Sequence, residues 1–148
     1  MMPGYIVHAD GASRGNPGEA AAGAVILDAD NGTLLAEIGT LCGIASNNVA
    51  EYRGLIEALR LLRSWQVTEP VLVKMDSKLV VEQMSGNWKV KHPDMRELVK
   101  TAHAIIQEGL NVEFQWVPRD DNTLADGAAN RALDTGSDFL DVHGTPGV

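Results

Sequence analysis

Apolar and polar residues alternate from Tyr5 to Asp10, in a segment rich in aromatic and β-branched side chains, and this predicts a first strand. Gly11–Gly18 then holds three glycines and a proline, a turn-rich loop by composition. Ala22–Leu27 reads as a second strand, and Asp30-Asn31-Gly32 signals a hairpin into a third, Thr33–Cys42. These three make an antiparallel meander. The period then changes. Ser46-Asn47-Asn48 offers helix-capping side chains before a helix over about residues 49–65, in which Leu55, Leu59 and Leu62 share one apolar face. Val71–Met75 is a short, mostly apolar strand ending at Asp76, as expected of a strand buried on both sides. A short helix, Ser77–Met84, follows. His92-Pro93 opens another helix with a stripe of Met95, Leu98, Val99, Ala102, Ile105 and Ile106. Asn111–Val117 is a fifth strand, and Asp121-Asn122 caps a last helix, Thr123–Leu133.

Strand–helix–strand connections favour parallel pairing of the first, fourth and fifth strands. The expected fold is α/β: a mixed five-stranded sheet, strands 1–3 antiparallel and strands 4 and 5 parallel to strand 1, with helices on both faces. One domain is expected over residues 1–134. Residues 135–148, with three glycines, a proline and no periodicity, read as a flexible tail or linker.

A chain of 148 residues with 45 % apolar content can bury one sizeable core. No stretch approaches the roughly 20 apolar residues of a membrane helix, and Met1–Tyr5 lacks the features of a signal peptide. A single cysteine, Cys42, excludes an internal disulfide and fits a reducing compartment, so the cytoplasm is the expected location. The net charge of −8, from twelve basic and twenty acidic residues, weighs against a nucleic-acid partner. It does not exclude one, because a carboxylate-rich site that binds cations reverses its own local charge.

Four acids stand out by position. Asp10 and Asp76 end the first and fourth strands, and the carboxyl ends of neighbouring parallel strands are where ligands sit in open α/β sheets. Two carboxylates so placed need a shared proton or a cation. Glu51 falls in the first turn of the long helix and Asp126 in the first turn of the last one, where either acid could simply complement the helix dipole. Position alone leaves both readings open for all four.

Asp10-Gly11-Ala12-Ser13 with Gly15-Asn16-Pro17-Gly18 resembles the opening motif of type 1 ribonuclease H. Asn47-Asn48-Val49-Ala50-Glu51 resembles its second motif and Met75-Asp76-Ser77 its third. Asn122-Thr123-Leu124-Ala125-Asp126 with Ala129-Asn130 resembles its fourth, so the likeness spans about residues 4–134 in the family's order. The resemblance implies a ribonuclease H-like fold and an endonuclease that cuts the RNA strand of RNA–DNA hybrids, leaving 3′-hydroxyl and 5′-phosphate ends. It implies two Mg²⁺ ions held by Asp10, Glu51, Asp76 and Asp126, with Mn²⁺ as an open alternative. Such ions, about 4 Å apart, activate water and stabilise the leaving oxygen.

By the same resemblance, the backbone of Gly11, Ala12 and Ser13 approaches the RNA strand, where a 2′-hydroxyl marks RNA. Asn16, Asn47 and Asn48 contact the minor groove, and Ser46 helps to hold a DNA phosphate. Turn and helix-cap roles for Asn16, Ser46 and Asn47 are equally compatible with their positions. The chain departs from many family members in two places. Trp116-Val117-Pro118-Arg119-Asp120-Asp121-Asn122 lacks the family's active-site histidine loop, and Arg119 is expected to take over part of its role unless it merely pairs with Asp120 or Asp121. Gly86–His92 looks like a shortened basic protrusion, in which Trp88 either lies on a sugar of the DNA strand or anchors the next helix. The short form also raises double-stranded RNA as a substrate.

His8 shares the Asp10 side of the first strand and reads as a packed histidine. A monomer is expected, without membrane contact. Some actinobacterial relatives fuse this domain to a C-terminal acid phosphatase, and a linker-like end is compatible with such a fusion. A hybrid-binding module without catalysis and a metal-dependent phosphohydrolase of small substrates are the competing functions. The intact carboxylates count against the first, and the run of asparagines counts against the second.

Overall fold

The computed structural model describes residues 2–144. Its elements run β1 (Tyr5–Arg14), β2 (Gly18–Asp28), β3 (Leu34–Ala45), α1 (Asn47–Ser64), β4 (Val71–Met75), α2 (Lys78–Met84), α3 (Pro93–Gln107), β5 (Val112–Trp116), α4 (Thr123–Thr135) and β6 (Phe139–Val142). They form one mixed sheet in the order β5-β4-β1-β2-β3-β6. β4 runs parallel to both β1 and β5, while β2 and β3 complete the antiparallel meander with β1.

The two faces of the sheet are packed differently. Val7, Ala9, Ala24 and Ile26 on one face meet Tyr52, Leu55, Leu59 and Leu62 of α1, and α2 and α3 close this main core. Burying these side chains is the principal stabilising term, about 1.5–3 kcal/mol for each large aliphatic residue. On the other face the contacts are small: Ala125, Ala128, Ala129 and Ala132 of α4 are all buried. A Cβ on Gly23 of β2 would lie 2.2 Å from the Ala125 carbonyl oxygen, so a larger residue there would push α4 off the sheet.

Three features differ from the sequence-based expectation. Gly11–Arg14 is strand rather than loop, because the ladder with β2 continues from Gly11↔Ala22 to Arg14↔Glu19, leaving only a tight turn at Gly15–Pro17. Helix α1 begins two residues early, at Asn47, since Ser46 caps it by accepting a hydrogen bond from the Val49 amide. The sheet has six strands instead of five. Part of the expected tail, Phe139–Val142, pairs antiparallel with Gly39–Ala36 at the edge of the sheet.

Local contacts explain this sixth strand. Asp138 accepts a hydrogen bond from the Leu41 amide at 2.7 Å, the Arg131 guanidinium stacks on the Phe139 ring at 3.8 Å, and Arg131 pairs with Asp141 at 2.8 Å. The ring occupies the space that Gly39 leaves by lacking a side chain. A four-residue strand anchored mainly through partners distant in sequence has no periodic signal of its own. The expected tail beyond residue 144 lies outside the described residues.

Candidate active site

β1 and β4 are in register from Tyr5↔Val71 to Ala9↔Met75, so the next residue on each strand, Asp10 and Asp76, emerge side by side where the parallel pairing ends. α1 crosses directly over this point. A Cβ on Gly11 would sit 2.4 Å from the Glu51 amide nitrogen, and one on Gly54 would sit 2.9 Å from the carbonyl oxygens of Asp10 and Gly23. Both positions require glycine for close approach rather than for backbone freedom. This approach brings Glu51 over the strand end. Carboxylate oxygens of Asp10, Glu51 and Asp76 lie within 4.8 Å of one another. Because α1 starts at Asn47, Glu51 is past the first turn, and it is only 8 % exposed. A dipole-complementing surface role does not fit that burial.

The electrostatics of the cluster are unfavourable without a cation. Burial pushes Asp10 up to about 7, helped by the charges of Asp76 and Asp126 and opposed by hydrogen bonds from Glu51 and the Gly11 amide. Glu51 is also raised well above the usual carboxylate range, first by burial and then by Asp10. Glu51 Oε2 is buried with no hydrogen-bond partner among the described residues. An orphaned carboxylate oxygen facing two further carboxylates is the donor set of a hard divalent cation. The residues therefore fit a metal ion.

The fourth acid, Asp126, lies outside this tight trio but lines the same open groove of about 650 Å³, with Gly11, Ala12, Ser13, Asn47, Ser77, Trp116 and Arg119. Asp126 sits in the first turn of α4, and Asn130 donates to its carboxylate at 3.3 Å. Arg119 Nε is 4.0 Å from Asp76 Oδ2, with its side chain 91 % exposed, and so leans toward the site rather than toward Asp120 or Asp121. Ser13 donates to the Ala45 carbonyl at 2.9 Å, and Asn16 accepts from the Asn47 amide at 3.2 Å. These bonds tie the β1–β2 turn to the start of α1 and align the Gly11–Ser13 backbone beside Asn47. Asn47 and Asn48 are exposed, while Ser46 performs its cap role and Asn16 its turn role. Trp88 lies apart from the groove, beside a second cavity that it shares with Lys89, Lys91, His92 and Met95.

Two site residues were missed from the sequence. Asn122 occupies the α4 N-cap position, yet its side chain does not cap the helix. It turns inward, donates to the Ala9 carbonyl at 2.9 Å, and faces His8 Nδ1 at 3.3 Å, thereby joining the helix that carries Asp126 to the strand that carries Asp10. Burial lowers the His8 pKa, in keeping with a packed histidine. Trp116 forms a wall of the groove and donates from Nε1 to the Asp76 carbonyl at 3.2 Å, with Lys78 Nζ 6.0 Å from its ring centre. Its place at the end of a strand next to β4 was the available signal.

Residues 8–132 match a family model described as reverse transcriptase-like. The chain is 52 % identical over 141 residues to the bifunctional protein Rv2228c of Mycobacterium tuberculosis, covering 95 % of this chain but only 38 % of that protein. The solved N-terminal RNase H domain of Rv2228c superposes with a TM-score of 0.83, over 88 % of this chain and 94 % of that one. Ribonuclease HI of Halobacterium salinarum is 42 % identical over 133 residues, covering 88 % of this chain and 66 % of its relative. LC11-RNase H1, solved in complex with an RNA/DNA hybrid, is 40 % identical with a TM-score of 0.85, covering 89 % of this chain and 98 % of the other. With the fold, the carboxylate cluster and these likenesses in agreement, the chain belongs to the type 1 ribonuclease H family.

Proposed function

We propose that this domain is an endonuclease that hydrolyses the RNA strand of RNA–DNA hybrids, leaving 3′-hydroxyl and 5′-phosphate ends. The observation that carries this reading is the convergence of Asp10, Glu51 and Asp76 within 4.8 Å in a groove also lined by Asp126. Those four side chains would hold two Mg²⁺ or Mn²⁺ ions. Bound divalent ions supply a nucleophilic water at neutral pH and offset charge on the leaving oxygen.

The remaining work falls to the protein. The Gly11–Ser13 backbone and Asn47 line one side of the groove, within reach of an RNA strand and its 2′-hydroxyls. Asn16 and Asn48 extend this polar edge toward the minor groove, and Ser46 offers a donor to a DNA phosphate. Arg119, highly exposed beside Asp76 on the lining of the groove, would contact the scissile phosphate. Trp88 would meet the DNA strand on the flank of the duplex. The groove is partly open to solvent, which suits a duplex better than a small phosphate ester held in an enclosed pocket.

The test is incubation of end-labelled hybrid, single-stranded RNA and double-stranded RNA with the protein and Mg²⁺ or Mn²⁺, beside the Asp10→Asn variant. Internal RNA cuts in the hybrid that vanish in the variant and with chelator are expected. Folded protein that cuts no hybrid with either metal would overturn the proposal.

A further inference from the structure

Gln83 is a polar side chain in the apolar core, only 5 % exposed, and each end of its amide makes a hydrogen bond. Its Oε1 accepts from the hydroxyl of the buried Tyr52 at 2.5 Å, and its Nε2 donates to the Lys89 carbonyl at 3.3 Å. Tyr52 follows Glu51 on α1. One of these neighbours enters the carboxylate cluster, and the other enters the core to grip Gln83. The chain thus has a continuous path from the candidate active site to the 86–92 segment.

That segment presents Trp88, Lys89 and Lys91 to solvent. Its backbone is fastened at several points: the Asn87 and Trp88 amides donate to the Glu82 carbonyl, and Arg96 Nε donates to the Val90 carbonyl at 3.1 Å. Among the described residues neither lysine takes part in an ion pair, whereas Lys78 and Lys100 are paired with acids. In a chain of net charge −8, two unpaired lysines two positions apart, next to an exposed tryptophan, form a surface suited to a phosphate backbone.

We propose that Gln83, held by Tyr52, is a positioning residue that sets the Trp88–Lys91 segment at a fixed distance from Glu51, so that the lysines meet backbone phosphates while the carboxylates meet the scissile bond. This rests on the reading of the domain as a hybrid nuclease. An apolar residue of similar size at position 83 would keep the core filled but release the Lys89 carbonyl. The segment would keep its ties at Glu82 and Arg96 but lose its hold at Lys89, between them, and part of the affinity for the duplex would be lost.

The experiment measures hybrid affinity by fluorescence anisotropy in Mg²⁺ across a salt series, in an Asp10→Asn background so that no turnover intervenes. Gln83→Met, Lys89→Ala/Lys91→Ala and the combined variant are compared, with Tyr52→Phe as a second disruption of the same path. Circular dichroism and thermal melting verify that each variant is folded. Gln83→Met and Tyr52→Phe are expected to weaken binding about fivefold, the effect of losing one net hydrogen bond, and to flatten the salt dependence. Neither should weaken binding further once both lysines are gone. With Asp10 intact, KM should change more than kcat.

Full additivity of Gln83→Met and the lysine substitutions, or an unchanged salt slope in folded Gln83→Met, would overturn the inference. So would lysine substitutions that leave affinity unchanged, a result that does not touch hybrid cleavage itself. Failure of the nuclease reading would show separately, as absent cleavage by the wild-type protein.

Discussion

Replacing Asp10 by Asn should make the protein more stable above neutral pH while abolishing its activity. Asp10 is 5 % exposed, and its carboxyl is raised to about 7 from an ordinary 3.8, mainly by burial. A carboxyl with a folded-state pKa above its unfolded value stabilises the fold while it holds its proton. That contribution is complete below about pH 4, declines as the pH rises, and is gone above about pH 7. At about 1.4 kcal/mol per pH unit, the interval corresponds to about 4 kcal/mol. The figure is an upper bound for the substitution, because Glu51 is raised as well and its titration is linked to that of Asp10. The amide that replaces the carboxyl cannot ionise, and it relieves Glu51 of its nearest negative neighbour.

Urea unfolding in chelator from pH 4.5 to 8.5 is the assay. Wild-type stability should fall steeply through this range, the variant's should fall less, and at pH 8 the variant should lead by about 2–4 kcal/mol. Mg²⁺ or Mn²⁺ should then raise the wild type at pH 8 far more than the variant, since only the wild type retains the full ligand set. Parallel pH profiles for the two proteins, or a variant less stable than wild type at pH 8, would refute the reasoning. Asp10 would then be neither desolvated nor coupled as its surroundings demand.

Other substitutions probe the supports of the site. Gly11→Ala places a methyl 2.4 Å from the Glu51 amide nitrogen, so it should cost about 1–3 kcal/mol by displacing α1 and also suppress hybrid cleavage; wild-type unfolding and turnover would mean that the helix yields freely. Asn122→Ala strips the Ala9 carbonyl of its buried donor and should cost about 1–3 kcal/mol in urea unfolding, with a near-zero change counting against the proposed tie between α4 and β1. Arg119→Ala should leave stability unchanged, because the side chain is 91 % exposed, yet lower kcat on hybrid; unchanged kcat would remove Arg119 from the chemistry. Phe139→Ala should cost about 2 kcal/mol, below the full-core value because the ring is only half-buried, and should speed hydrogen exchange along β3. Unchanged exchange there would show that β6 contributes little to the sheet.

The legible parts of this chain were those whose signal is local. Alternation and helical stripes placed the first five strands and four helices, because each element buries a face that its own sequence displays. The adjacency of Asp10 and Asp76 followed from strand order alone, and the ladder Ala9↔Met75 realises it. Glu51 and Asp126 were different. Nothing in either helix distinguishes a site carboxylate from one that complements a dipole, and only the motif resemblance selected them. Burial now separates the two: Glu51 is enclosed, while Asp126 stays exposed at the rim. Asn122 reads as a cap from sequence because capping is what asparagine before a helix ordinarily does. Its true partner, the Ala9 carbonyl, lies 113 residues away in sequence. β6 escaped for the same reason, since Gly39 and Leu41 hold it in place from far along the chain, with the nearer Arg131 adding to them.

The charge of the chain poses a related problem of scale. A net charge of −8 disfavours nucleic acid only if that charge is spread evenly. Here three carboxylates are gathered within 4.8 Å and a fourth lines the same groove, where divalent cations would reverse their sign toward a phosphate. Many of the cations elsewhere are internally compensated: Arg14 by Asp134, Arg63 by Glu108, Arg131 by Asp141 and Lys78 by Glu82. Among the described residues Lys89 and Lys91, on one segment, take part in no ion pair, while Arg119 reaches Asp76 at 4.0 Å with its side chain 91 % exposed. A duplex in the groove would therefore meet metal-neutralised carboxylates beside Arg119, with Lys89 and Lys91 on a separate segment to take up backbone phosphates. Because so few cations are available for phosphate contacts, the salt slope of hybrid binding should be shallow, at about one unit per lysine engaged.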